Sequence, residues 1–574
     1  MNTTSDLTFL SQLEPYEKRG FVPEGMNWAD PEAVKSVYSL LLARTINSVG
    51  ELEKWLLDRS ELEAALSQEG AVLYIRMTCQ TDDTKSAEEY KNFLQTIIPV
   101  VRPLEHQLNI KYLEEKKNFS LNSTYAIYNR FIQTEVELFV DKNIPLQTEV
   151  DLLSQDYQTV CGAMTVFFDG KERTLPEMGK FLLETDRDLR ERAWRETAER
   201  RLKDQEKLDS LFDEMLKRRS QIAQNARFPN FIDYQFRAFH RYDYTPRDCK
   251  QYHQTVEEVV VPLWKEILEK RRQEMKLERL RPWDTAVDPL GRSPLKPFEK
   301  IEELYSRCQD IFGKMDSVLG QQFAQMVKEH LLDLESRKGK APGGYQSTLD
   351  EARKPFIFMN AVGVEDDVWT LFHEAGHAFH SLACADQGLL KYRHGPMEFN
   401  EVASMGMELL ASPYLDYFYK PEEKARVNQS HFEDIVFTLA WVATIDCFQH
   451  WIYEHPSHTN TERKEAWLKI HKRFGGDIVD WNGLEEEHAF LWHRQLHIFE
   501  YPFYYIEYGI AQLGALQLWL NARRDAKAAL NNYKKALALG GSRPLPALYK
   551  EAGIRFDFSA DTIIPLMEEI RKEF

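Results

Sequence analysis

A mainly α-helical protein with a few short β-strands is the fold class this sequence predicts, and three observations carry the prediction. Apolar residues recur at spacings of three and four through residues 34–42, 51–66 and 90–108, the period of a helix with one face turned inward. Strand signals are short and rare: an Asp169-Gly170 pair between 165–168 and 171–175, and an apolar run at 355–360 behind the glycines of 340–345. The densest chemistry, Leu371-Phe372-His373-Glu374-Ala375-Gly376-His377-Ala378-Phe379-His380, also sits in a helical pattern.

Composition narrows the class. Of 574 residues, 43% are hydrophobic and 29% charged, which suits a folded globular chain and argues against disorder. A net charge of −18 argues against nucleic acid and anionic membranes as partners, since both demand basic patches. Cys79, Cys161, Cys249, Cys308, Cys384 and Cys447 are scattered with no Cys-x-x-Cys, so neither a thiolate zinc site nor a disulfide framework is suggested, and reduced thiols are expected. Met1-Asn2-Thr3-Thr4-Ser5-Asp6 has no basic region followed by an apolar core, and no later run of about 18 apolar residues is read. A cytoplasmic protein without a membrane span is therefore expected.

From about residue 31 to 153 the pattern is helical, with His106 a lone, locally satisfied histidine and Glu114-Glu115-Lys116-Lys117 a solvated charge run. The Asp169-Gly170 pair marks a β-hairpin. A highly charged helix or helix pair begins at Thr185-Asp186-Arg187-Asp188 and keeps Leu208, Leu211, Phe212, Met215, Leu216, Ile222 and Ala223 on one side, its charges read as a solvent face. Residues 280–298, with Pro282, Pro289, Gly291, Pro294 and Pro297, are too proline-rich for a helix and form an ordered loop. Lys340-Ala341-Pro342-Gly343-Gly344-Tyr345 reads as a glycine turn and Pro355-Phe356-Ile357-Phe358-Met359-Asn360 as a short strand. As an edge strand it could hold a peptide by backbone hydrogen bonds; a structural hairpin is the plainer alternative.

The next helix carries the chemistry. Glu365-Asp366-Asp367 supplies capping and N-terminal acid, and Val368, Leu371, Phe372, Ala375, Phe379 and Leu382 form its buried face. Residues four apart on a helix share a face, so His373 and His377 can put two imidazoles on one metal ion, with Glu374 pointing along the same wall toward a water: the geometry of zinc-assisted hydrolysis. Left unpaired, each such group would cost on the order of 2–7 kcal/mol to bury. A second helix follows over 395–410, with Pro396 in its first turn and Pro413 closing it. Its Glu398, Glu401 and Glu408 lie near one face as candidate third ligands, and spacing alone does not choose among them. Further on, 496–509 gathers His497 with a tyrosine stripe, a pattern more common in cores than in catalysis. His493 and His497 are also four apart, but no acid sits between them as Glu374 does in the first motif, which disfavours a second metal site there.

His373-Glu374-x-x-His377 followed by Phe399-Asn400-Glu401-Val402-Ala403-Ser404 resembles the metallopeptidase family of thimet oligopeptidase and oligoendopeptidase F, nearer its bacterial oligoendopeptidase F and Pz-peptidase branch. The resemblance implies a two-lobed helical metallopeptidase with a deep central cleft and a few short strands beside the zinc helix. Asp186-Arg187, Arg190 and Ala193 match too and place the junction between a helical N-terminal lobe at 1–200 and a catalytic lobe at 201–574. One zinc ion per chain is implied on His373, His377 and Glu401, with Glu374 as general base and Glu408 orienting a ligand. Matched to the family's histidine and tyrosine cluster, His497, Tyr501 and Tyr508 are expected to act at the carbonyl oxygen and Tyr505 to touch substrate, although one fewer residue separates His497 from Tyr501 than in the thimet branch. Gly343, Gly344, Tyr345 and Phe358 are expected to line the substrate path. Short unstructured oligopeptides, cut at internal bonds, are the implied substrates. A zinc carboxypeptidase of the carboxypeptidase Taq type and a non-catalytic helical peptide-binding protein are the alternatives.

Overall fold

The structure, a computed structural model, describes residues 7–574 apart from Lys338 and Pro342. The N-terminal stretch 1–6 and Pro342 of the glycine turn, both read above, lie outside the described residues. Helix dominates, as the apolar spacing predicts. Five short strands are described: β1 Thr165–Phe168, β2 Lys171–Thr174, β3 Leu332–Glu335, β4 Tyr345–Leu349 and β5 Lys354–Ala361. The helices that matter below are α1 Val49–Cys79, α2 Pro246–Thr255, α3 Glu365–Ala383, α4 Met397–Ala411, α5 Pro421–Glu454 and α6 Ile506–Arg524.

The chain forms two compact units that interleave in sequence. The first comprises Met1–Glu137, Lys296–Ala425 and Ala511–Phe556; the second comprises Leu138–Leu295, Arg426–Ile510 and Asp557–Phe574. Neither coincides with the linear 1–200 and 201–574 division.

In the first unit, β5 is the middle of a three-stranded sheet, parallel to β3 and antiparallel to β4. Pro355 to Met359 are all buried, which explains their unbroken apolar run: a strand covered on both faces has no reason to alternate. This corrects the edge-strand reading of 355–360. Both sides of β5 are paired, so the edges belong to β3 and β4. At the turn into α3, Asp367 Oδ2 accepts from the backbone N–H groups of Val362, Gly363 and Val364 at 2.8, 2.7 and 2.9 Å, satisfying donors that a helix start leaves open. Helix α3 then packs against α4 at Gly376. A Cβ built there would lie 2.5 Å from the Ala403 carbonyl oxygen and 2.6 Å from Ser404 Cα, so only glycine permits the approach.

In the second unit, β1 and β2 pair antiparallel around Asp169 (φ 48°) and Gly170 (φ 76°), a turn with both central residues left-handed, as the Asp-Gly pair predicts. Strand β2 ends at Thr174 rather than Leu175, because Thr174 and Glu177 form a capping box that opens a helix. The charges after residue 185 are not all solvent-facing as expected. Arg190 is buried, donating to Asp284 Oδ1 at 3.1 Å and to the Trp283 carbonyl at 2.9 Å, and so pins the proline-rich 280–298 stretch in place. One helix, α5, is after all long and apolar enough to cross a membrane by length and composition; 78% of its apolar window is buried inside the protein, as in a core helix. Among the described residues the six cysteines form no disulfide.

Replacing Gly376 with valine forces α3 and α4 apart at a backbone contact. Gly376→Val is expected to lose about 1–3 kcal/mol or more in denaturant unfolding; an unchanged midpoint would show that the two helices do not meet there.

Candidate metal centre

Two helices of the first unit, α3 and α4, build the centre. On α3, one helical turn places His373 and His377 on the same face, their rings 4.9 Å apart and nearly perpendicular. The Gly376 contact brings α4 close enough for Glu401 Oε2 to stand 3.4 Å from His373 Nε2 and 3.7 Å from His377 Nε2. These three groups can offer ligand atoms all within 4.8 Å of one another. Glu401 Oε2 also accepts from Ser404 Oγ at 3.0 Å, which fixes the carboxylate from its own helix. Two turns beyond Glu401 along α4, Glu408 Oε1 lies 2.7 Å from His373 Nδ1. In its neutral form, with Nδ1 donating to Glu408, His373 keeps its lone pair on Nε2, toward Glu401 and His377. Glu398 takes a different place, buried beside Tyr549. Of the three acids on α4, Glu401 is the one that this contact brings beside both imidazoles.

The electrostatics divide the acids into two kinds. Burial pushes the Glu374 carboxyl up to about 7, with the Glu401 and Glu408 charges adding to the rise against the opposing pull of His373. Its Oε2 is buried and has no hydrogen-bond partner among the described residues. Burial also works against ionising Glu401, yet the hydrogen bond from His373 and the His377 and His373 charges hold it down at about 2. Burial lowers His377 to about 4. His373 is raised well above its ordinary value despite burial, because Glu401 and Glu408 both bond it. The field here therefore favours positive charge among these groups, the condition for holding a cation. Two imidazoles and one carboxylate with a neighbouring acid are the donor set of a zinc site that leaves a position open, and the side chains present fit that ion.

The second unit holds its own cluster. The His497 ring packs against Tyr505 at 4.9 Å, Tyr504 and Tyr508 at 5.8 Å each, and Tyr501 at 6.5 Å between centroids. Tyr508 touches Tyr505 at 5.3 Å and Tyr504 at 5.4 Å. Tyr504, absent from the residues singled out in the sequence, is thus a full member; its place in the stripe, three after Tyr501 and four before Tyr508, was the available signal. Gln495 Nε2 and His497 Nδ1 are 2.9 Å apart, and Gln495 Oε1 in turn accepts from Trp441 Nε1 at 3.0 Å. Burial raises the Tyr505 hydroxyl to about 12, against lowering by Arg494, Trp441 and Gln495. The start of α6 is set by Arg241, whose Nη2 donates to Glu507 Oε1 and the Phe503 carbonyl at 2.6 Å each, a pair with both side chains fully buried.

Residues 181–567 match the model of Peptidase family M3, and 26–149 match the Peptidase M3 N-terminal domain. The chain belongs to peptidase family M3. This is the metallopeptidase family that the sequence resembles, and the branch agrees: the solved structure of Pz peptidase A with an inhibitor superposes at a TM-score of 0.87, 27% identical, covering 98% of each chain. Oligopeptidase PepF of Bacillus subtilis is 25% identical over 311 residues, 51% of this chain and 44% of that protein. An oligoendopeptidase F homolog of Borreliella burgdorferi is 24% identical over 382 residues, 64% of this chain and 62% of that protein. The chain spans about half the length of the curated relatives it matches.

Within this M3 chain the other expected residues separate. Gly343 (φ 94°) and Gly344 are exposed before β4, and the Gly343 carbonyl accepts from Asn360 Nδ2 at 2.9 Å. Tyr345 opens β4, half-buried, with its hydroxyl 2.6 Å from Thr78 Oγ1 of α1. Phe358 cannot line a substrate path: it is 0% exposed, stacked on Tyr345 at 4.8 Å with the Lys340 ammonium 4.5 Å from its ring. Its apolar neighbourhood on a central strand makes it core. His493, weighed as half of a second metal pair with His497, instead lies with Nε2 3.0 Å from Asp209 Oδ1.

Arg241→Met removes the cation from a fully buried pair while leaving Glu507 in place. A loss of about 3–5 kcal/mol is expected, read from denaturant unfolding, with Arg241→Lys recovering part of it; wild-type stability in Arg241→Met would mean the pair does not hold the start of α6.

Proposed function

We propose that this M3 chain is a zinc endopeptidase that hydrolyses internal bonds of short, unstructured oligopeptides. The observation that carries the reading is the convergence of His373, His377 and Glu401 beside the buried, partnerless oxygen of Glu374. His373, His377 and Glu401 would hold the ion, and a zinc there supplies Lewis-acid polarisation of a water and of the peptide carbonyl. Glu374 takes the proton from the attacking water and returns it to the leaving amine; a carboxyl raised to about 7 is matched to both halves of that task. Glu408 keeps His373 in the orientation and tautomer that presents Nε2. The family resemblance supports Tyr508, helped by Tyr501 or His497, as the donor to the developing oxyanion, and the shared ring packing of these side chains supports their acting as one group.

Substrate form follows from the sheet. The backbone of Gln346 on β4 borders the Glu374 carboxyl, and β4, unlike β5, is an edge strand. An extended peptide adding to that edge would pass the general base with its backbone in register, whereas a bond already inside a folded helix or sheet could not. The family assignment favours this endopeptidase reading over the carboxypeptidase Taq type and over a binding protein without turnover.

Glu374→Gln is expected to keep its metal while kcat falls about 10²–10⁴-fold, measured by metal analysis and an internally quenched peptide; turnover near wild type removes Glu374 as the base. In a nested peptide series, cleavage is expected at internal bonds of substrates below roughly 20 residues, a reach of about 66 Å when extended, with a native small domain left intact. Release of single C-terminal residues would point to the carboxypeptidase, and efficient digestion of a denatured full-length protein would remove the length limit.

A further inference from the structure

A second cluster of metal-binding side chains lies in the second unit, where α2 faces α5. Each helix contributes a pair at the i, i+4 spacing that shares a face: Cys249 and His253 on α2, Asp446 and His450 on α5. All four are at most 3% exposed. Cys249, Asp446 and His450 can offer one ligand atom each, all within 4.8 Å of one another. His253 Nε2 and Asp446 Oδ2 are 2.8 Å apart, which uses one carboxylate oxygen and orients the group. The other oxygen, Oδ1, has no hydrogen-bond partner among the described residues. Neither ring nitrogen of His450 has one either, although Nε2 lies 3.4 Å from Asp446 Oδ2. Aromatic rings pack around the group: Phe503 and Phe236 stand 5.2 and 6.3 Å from the His450 ring, and Phe474 stands 6.4 Å from the His253 ring.

We propose that Cys249, Asp446 and His450 form a second zinc site, with a water as the fourth ligand of the tetrahedron and His253 holding the Asp446 carboxylate in position. Thiolate, imidazole and carboxylate are the three ligand types zinc accepts. One thiolate and one carboxylate neutralise a divalent ion, so the loaded site buries no net charge. Binding releases the Cys249 thiol proton to solvent, and the ion takes up the sulfur lone pair. A tetrahedral ion with bonds of about 2.0–2.3 Å sets its ligand atoms about 3.3–3.8 Å apart, so the side chains need move by only about an ångström. His253 on the far oxygen of Asp446 is the kind of outer partner that fixes a metal ligand. No Cys-x-x-Cys pattern announces this site because its two half-sites lie about 200 residues apart on separate helices. Its role is to clamp α2 to α5, the helix whose Gln449 Oε1 accepts from Phe503 N–H at 3.0 Å ahead of the tyrosine cluster.

The test uses the full chain expressed with zinc or cobalt present during folding, since the ligands are buried, then dialysed against metal-free buffer. Wild type is expected to carry two ions per chain, Cys249→Ser one and His377→Ala one. With cobalt, wild type and His377→Ala should show thiolate-to-metal charge-transfer absorption that Cys249→Ser lacks; Cys249 is the cysteine in either metal-capable cluster among the described residues. Cobalt-loaded wild type without the thiolate band, whether it carries one ion or two, overturns the proposal; a single ion that shows the band and loses it in Cys249→Ser would instead count against the first site. Should Cys249→Ser fail to fold, the wild-type and His377→Ala spectra decide alone.

Discussion

The first unit depends on one close contact, the backbone of α3 against the backbone of α4 at Gly376. Without a Cβ at that position the helices approach until Ala403 and Ser404 nearly touch it, and Glu401, three residues before Ser404, is carried to the imidazoles of His373 and His377. The Ala403 carbonyl at the crossing accepts from Tyr533 Oη at 2.6 Å, so it stays hydrogen-bonded outside its helix as well. Gly406, one turn on, leaves room for Leu518 and Tyr533. A side chain at Gly376 would widen the spacing on which the ligand geometry rests, and one at Gly406 would press on Leu518 and Tyr533.

Placing two acids at one buried centre creates opposite chemistry from the same functional group. Glu401 is bonded by His373 and Ser404 and stays ionised; Glu374 has an oxygen with no partner and is pushed toward neutrality. Environment sets the difference, since donors around a buried carboxylate favour its charged form and burial without enough of them favours the neutral one. Both environments meet at the crossing near Gly376: His373 of α3 and Ser404 of α4 bond Glu401, while Glu374 of α3 is buried with one oxygen unpartnered among the described residues.

The second unit is ordered by buried ions. Arg190 and Asp284 tie a helix to the proline-rich stretch, and Arg241 with Glu507 sets the start of α6. Such pairs cost desolvation and add little net stability, but removing one partner is expensive, so they discriminate among packings. They hold segments whose own signals are weak: prolines that cannot form a helix, and the tight turn at Phe503 (φ 67°) between His497 and Tyr508.

Local chemistry alone determined a good part of this protein. Helical spacing set the mainly α fold and put His373, Glu374 and His377 on one face; Asp169-Gly170 set the hairpin turn, and the acids at 365–367 set the start of α3. These are properties of neighbours in sequence, where backbone geometry leaves few choices. The tertiary structure decided everything that depends on which distant faces meet. It brought Glu401 rather than Glu398 beside the two imidazoles, made β5 a central strand and Phe358 a core residue, buried Arg190 where the charge pattern suggested solvent, and brought Cys249 near His450 across about 200 residues. A periodic pattern tells which residues share a face but not what that face will touch, because the partner is selected by packing and by the pairing of buried charges over the whole chain.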